Sequence, residues 1–149
     1  MKKVLTFFIF IFIVIQFYRP DKNSLEDIGN NDFFSKENVP SDIAKIFKKS
    51  CYDCHSNHTK YSWYDNIAPL SWYVDKNIKR AKFSLNFSEW GKFEPWQRRL
   101  FFQGGIIYDI NIDRMPPKNY LTMHSGAKIS PVEKKNIQRW IDSVDLLKE

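Results

Sequence analysis

Cys51-Tyr52-Asp53-Cys54-His55 decides the reading of this 149-residue chain. Its two thiols stand three positions apart, so one short turn presents both sulfurs to the two vinyl groups of a single porphyrin. His55 follows directly, in place to lie beneath the ring and give an imidazole nitrogen to its iron. No other cysteine occurs in the chain, so neither thiol has a different partner. The stretch therefore predicts one covalently attached haem c, linked through Cys51 and Cys54 and ligated by His55.

Two other chemistries use the same spacing. A dithiol redox motif places its first cysteine at a helix N-terminus, which lowers the thiol pKa. Here a helix is expected over Ser41–Ser50, before the motif, so the cysteines fall near the wrong end, and no βαβ pattern surrounds them. A structural zinc ion wants four ligands, commonly as two spaced pairs. The second pair would have to come from His55, His58 or His124, which show no such spacing.

Attachment of this kind of haem normally takes place outside the cytoplasm, and the N-terminus agrees. Met1-Lys2-Lys3 is a short basic tip, followed by an uncharged run from Val4 to Tyr18 rich in β-branched and aromatic residues. No small-residue cleavage pattern follows before Pro20, and Tyr18 with Arg19 resembles an interfacial anchor. Residues 1–20 are therefore expected to form a retained membrane anchor, with a cleaved signal segment as the alternative. The run at 4–18 is somewhat short for a full crossing, and the snorkelling Lys3 and Arg19 would extend it. The basic tip stays in the cytoplasm, which places the rest on the periplasmic side of the cytoplasmic membrane.

Residues 21–40, rich in Asn, Asp, Ser and Lys without a sustained period, read as a polar linker. Residues 41–149 then form one compact domain. The chain carries five Trp, seven Tyr and thirteen Phe, a supply of rings suited to wrapping a flat apolar cofactor or simply to filling a small core. A net charge of +6 and a pI near 9.3 invite a nucleic-acid reading, but an exported domain rarely meets nucleic acid and no nucleic-acid motif is present. The basic groups Lys76, Lys79, Arg80 and Lys82, and Lys134, Lys135 and Arg139, are either solvated helix faces or steer an acidic redox partner.

Every segment of the domain reads as helix or loop. Pro40-Ser41 opens a helix with Ile43, Ile46 and Phe47 on one face. Pro69 starts a second through Trp72, Tyr73, Ile78 and Ala81. A third runs from about Pro95 to Phe102, is interrupted at Gly104-Gly105 and resumes through Ile106, Ile107 and Ile110. The last is marked by Ser130-Pro131-Val132-Glu133, which combines an N-cap, a first-turn proline and a capping-box glutamate. Ile137, Trp140, Ile141 and Val144 follow as its apolar stripe. The expected fold is a small all-α, cytochrome-c-like domain around one haem, preceded by a hydrophobic N-terminal helix.

The second axial position decides the function, and its candidates are Met115, Met123, His58 and His124. Met115-Pro116-Pro117 is the leading choice, because two prolines favour an extended segment that could cross the open haem face. His58 lies too close to His55 to reach that face. Met123 and His124 follow closely enough to replace Met115. Asp65, Tyr120, Trp63 and Trp72 are candidates for the propionates or the ring edge, and equally for packing.

A family resemblance extends these readings. Cys51-Tyr52-Asp53-Cys54-His55-Ser56-Asn57, Tyr61-Ser62-Trp63-Tyr64, Ile67-Ala68-Pro69, Ser71-Trp72, Leu85-Asn86-Phe87-Ser88-Glu89-Trp90 and Met115-Pro116-Pro117 resemble the bacterial haem-binding domain family. These are small, exported c-type cytochrome-like proteins, and the likeness covers about residues 40–145. It implies thioether links at Cys51 and Cys54, a proximal His55 and a distal Met115. Members often carry proline where Ser62 stands and histidine where Asn77 stands, and the second departure leans the axial assignment further toward methionine.

The leading expectation is a membrane-tethered monohaem carrier of single electrons between periplasmic or inner-membrane redox partners. A His/Met-ligated, partly covered haem suits that task, and no acid–base constellation calls for an enzyme. The alternatives are a haem sensor or peroxidase-like enzyme with a labile distal site and, third, a thiol–disulfide oxidoreductase using the Cys51/Cys54 pair.

Overall fold

The computed structural model describes residues 1–23 and 28–144. Residues 24–27 of the expected linker and residues 145–149 at the end of the expected domain lie outside them. Among the described residues the chain is all-helical, with no strand. It comprises α1 (Lys2–Ile15), α2 (Phe33–Lys36), α3 (Ser41–Ser50), α4 (Tyr52–His55), α5 (Leu70–Ser84), α6 (Pro95–Leu100), α7 (Ile107–Asn111), α8 (Lys118–Met123) and α9 (Pro131–Ser143). Short 3₁₀ turns at Trp63–Asn66, Phe87–Lys92 and Ser125–Ala127 join them.

The best-marked sequence signals hold. Ser130 Oγ accepts from Glu133 N, and Ser130 N donates in turn to Glu133 Oε2, the reciprocal cap that starts α9. Ile137, Trp140 and Ile141 are buried, whereas Val144 falls just past the helix. The Gly104-Gly105 break does not occur. Phe101–Ile106 continues from α6 into α7 as a π-helical turn, so residues 95–111 stay helical throughout. A Cβ at either glycine would meet no neighbour within 4 Å, so packing does not require glycine there.

A larger correction concerns the linker. Its composition is polar, yet Asp32 and Phe33 are wholly buried. Asp32 caps α2 by accepting from Phe34 N at 2.9 Å. Phe33 is the hub of the aromatic core, with its ring centroid 5.1 Å from each of Phe47, Phe87 and Trp90 and 6.0 Å from Phe102 and Trp140. Phe33 is fully buried, and Phe34 and Val39 pack against the core; fully burying one phenylalanine contributes about 1.5–3 kcal/mol, which draws this otherwise polar stretch in.

The apolar N-terminal helix is present, but α1 covers 14 residues. At 1.5 Å per residue it is about 21 Å long, against a hydrocarbon core of about 30 Å. Among the described residues no helix is long and apolar enough to cross a membrane.

Candidate haem-binding site

α3 delivers the chain to the site. Its buried face of Ile43, Ile46 and Phe47 packs into the core, and Ser50 at its end is fixed by a buried bond from Oγ to Ala127 O at 2.8 Å. The helix closes on Cys51, whose N–H donates to Phe47 O, and α4 then turns tightly through Tyr52–His55.

Tyr52 is the nail that holds this turn. Its ring stacks on Phe87 at 5.4 Å and on Phe34 at 4.7 Å, and its hydroxyl donates to buried Asp32 Oδ1 at 2.9 Å. Burial and the Asp32 carboxylate both drive its phenol pKa far up, so it remains a neutral donor. With Tyr52 turned into the core, the half-buried Cys51, Cys54 and His55 occupy the remaining sides of one turn.

His55 is oriented from behind. Its Nδ1 lies 3.0 Å from the carbonyl oxygen of Leu85, just past α5. A carbonyl only accepts, so Nδ1 carries the proton and Nε2 keeps its lone pair. Burial holds the imidazole pKa below its ordinary value, against the opposing pull of the Leu85 and Ala81 carbonyls and the Asp109 carboxylate. A neutral ring with Nδ1 bound to backbone is the standard state of a metal-ligating histidine. The residues thus fit a haem iron.

The thiols point away from dithiol chemistry. Burial, with a smaller contribution from Cys54, pushes Cys51 up to about 12. Burial and the carboxylates of Asp53 and Asp65 push Cys54 up to about 11. An exchange-active cysteine has a lowered pKa. Among the described residues no three His, Cys, Asp or Glu side chains converge as they would round a zinc ion.

Met115 lies half-buried at a bend after α7, with its N–H donating to Asp109 O. Pro117 is extended, and α8 begins directly after it at Lys118. α8 returns the chain to the motif, since Tyr120 donates its hydroxyl to Asp53 Oδ2 at 2.7 Å. The structure therefore carries Cys51, Cys54 and His55 on one turn and ties α8, which follows the Met115 segment, to that turn through the Tyr120–Asp53 bond.

The other distal candidates are placed differently. Both ring nitrogens of His124 are engaged, Nε2 with Tyr64 Oη at 3.1 Å and Nδ1 with Tyr120 O at 3.2 Å, and the ring stacks on Tyr120 at 4.1 Å. Met123 is largely exposed. His58 sits in the loop after the motif, where its N–H bonds Ser56 Oγ. Of the ring-edge candidates, Trp72 donates to Tyr18 O, Trp63 is exposed, and Asp65 caps the Trp63–Asn66 turn. Asp65 Oδ1 is buried without a hydrogen-bond partner, and burial raises the Asp65 pKa.

Sequence reasoning missed three supports: Leu85 O behind His55, Asp32 beneath Tyr52, and the Asp53–Tyr120 bond. A backbone carbonyl leaves no trace in residue type. The Leu85-Asn86-Phe87 stretch carried the only hint, through its likeness to the family.

Fold and site define a small all-helical domain organised round one Cys-x-x-Cys-His turn with a pre-oriented histidine. The model of the haem-binding domain family matches residues 10–143, and the chain belongs to that family. Comparisons with curated proteins and with solved structures gave no match.

Proposed function

We propose that this haem-binding protein is a membrane-tethered c-type cytochrome that carries single electrons on the periplasmic face of the cytoplasmic membrane. The observation that carries the reading is the 3.0 Å contact of His55 Nδ1 with Leu85 O, on the turn that also bears both thiols. In this reading Cys51 and Cys54 form the thioether links, His55 Nε2 is the proximal ligand and Met115 the distal one. Bound haem would supply one-electron redox chemistry, its potential raised by a Met/His ligand pair. The chain's own part is to hold the imidazole in one tautomer, keep its ring neutral and cover the porphyrin with the Met115 segment. The exposed apolar surface of α1 supports the tether.

The test is the optical spectrum of the chain produced with haem-attachment machinery, oxidised and reduced, with and without carbon monoxide. A six-coordinate c-type spectrum with a methionine-to-ferric-iron band and no carbon monoxide response is expected. A carbon monoxide shift in the parent would refute the closed Met115 site and favour a sensor or peroxidase-like enzyme. A haem stain that disappears on denaturing electrophoresis would refute covalent attachment.

A further inference from the structure

The segment that leaves the apolar helix is bolted to the domain. Gln16 pairs with the backbone of Ala68 in both directions, Nε2 donating to Ala68 O at 3.1 Å and Oε1 accepting from Ala68 N at 2.9 Å. Trp72 Nε1 donates to Tyr18 O at 3.0 Å, and the two rings meet edge to face at 5.8 Å. Asn23 then donates Nδ2 to Ser56 O at 2.7 Å and accepts from Lys82 Nζ at 2.8 Å. From Ala68 through Trp72 to Lys82 these partners follow the length of α5. Residues 16–23 are thus a strap along α5 rather than a loose tether.

Around the point where the strap begins, the domain exposes large apolar side chains. Trp63 and Tyr73, each five residues from Ala68 in sequence, are 74% and 50% exposed, and Leu70 is 51% exposed. Phe17 and Tyr18 on the strap itself are 86% and 70% exposed. Exposed Arg19 follows Tyr18 directly in the chain, and exposed Lys76 lies one helical turn past Tyr73. Tryptophan and tyrosine beside basic side chains suit the headgroup region of a bilayer, where one end of each group is apolar and the other wet. The patch is continuous in sequence with α1, whose surface is exposed and apolar along its length.

Resting on the tethered reading above, we infer that this aromatic face seats in the interface of an anionic bilayer, so that the domain has one fixed orientation on the membrane. The shortness of α1 argues the same way. At about 21 Å it falls short of a hydrocarbon core of about 30 Å, and a short apolar segment draws flanking residues toward the bilayer. Gln16 allows no slack between α1 and Ala68, so the flanking residues drawn in are those of the domain.

The test uses the full haem-loaded chain with vesicles of phosphatidylethanolamine and phosphatidylglycerol, and a benzophenone amino acid in place of Trp63, Tyr73 or Val132. Val132 is equally exposed but lies on α9, which packs on α3 and α7. Flotation with the vesicles reports the tether. Lipid adducts found by mass spectrometry at 63 and 73, several-fold above those at 132, are the expected result. Flotation with equal yields at all three positions would overturn the fixed orientation while leaving the tether intact. Absence of flotation would overturn the tethered reading and this inference with it. Gln16→Ala is expected to keep flotation and to lower the adducts at 63 and 73 toward the level at 132. Unchanged yields in that variant would refute the strap as the orienting device.

Discussion

Replacing Tyr120 by Phe tests whether the segment after Met115 is held closed over the haem site. The parent hydroxyl donates to the Asp53 carboxylate at 2.7 Å, and both side chains are half-buried. Hydrogen bonds to charged groups contribute about 1.5–3 kcal/mol, and partial exposure places this one at the lower end, about 1.5 kcal/mol. The ring and its stacking on His124 remain in the variant, so the change is confined to the bond. If the bond is made only when the Met115 segment is down, its loss multiplies the open population about tenfold. Carbon monoxide, which leaves the parent unchanged, should then bind ferrous Tyr120→Phe through its roughly tenfold larger open population, with a matching fall in urea stability. Asp53→Asn should act in the same direction, and the double variant should show less than the sum, since the pair shares one contact. A variant that loses stability with no change in carbon monoxide affinity would refute the latch and leave Tyr120 as a packing residue.

Other outcomes follow from the same geometry. Phe33→Ala should destabilise the domain by about 3–5 kcal/mol in urea titration, because it empties the centre of the aromatic core; a loss below about 1 kcal/mol would restore the linker reading. Gly91→Ala should cost about 1–3 kcal/mol by the same measurement, since the new Cβ would come within 2.7 Å of Asn31 Oδ1 and 3.1 Å of Asn31 Cα, where Gly91 N already bonds Asn31 O. In the haem-free folded chain, alkylation of Cys51 should run about a thousandfold slower than that of an ordinary thiol at neutral pH, given a pKa raised from 9.0 to about 12. Because that pKa is raised on folding, the associated stability is complete below about 9 and is lost as pH rises toward 12, so chemical denaturation midpoints should fall across that alkaline window. Rapid alkylation at neutral pH would instead bring back the oxidoreductase alternative.

What the sequence made legible was local. The N-cap, proline and glutamate of α9 act within four consecutive residues, and the stripe behind them has the helical period, so both could be read without knowing any neighbour. The cysteine–histidine turn was legible for the same reason. Phe33 was not, because its partners Phe47, Phe87, Phe102 and Trp140 are distant in sequence, and nothing in Asp32-Phe33-Phe34 says where the aromatic hub will form. Gly104-Gly105 misled in the opposite sense. Glycine lowers helix propensity by about 1 kcal/mol, but buried Phe102, Ile106, Ile107 and Ile110 on either side hold the segment helical.

The site shows the same division, and it bears on how the motif acquires its chemistry. Cys51, Cys54 and His55 supply the reactive atoms, but Tyr52, an apparently arbitrary residue between the thiols, decides which way they face. Its ring fills the slot between Phe34 and Phe87, and its hydroxyl satisfies Asp32, a carboxylate that without Tyr52 would lose one of its buried donors. Phe87 opens the turn that begins two residues after Leu85, whose carbonyl fixes the His55 tautomer. One aromatic contact therefore couples the seating of the cysteine turn to the orientation of its histidine. The imidazole is set by the folding of the core, and this chain needs no side-chain partner for His55 because the end of α5 provides the acceptor.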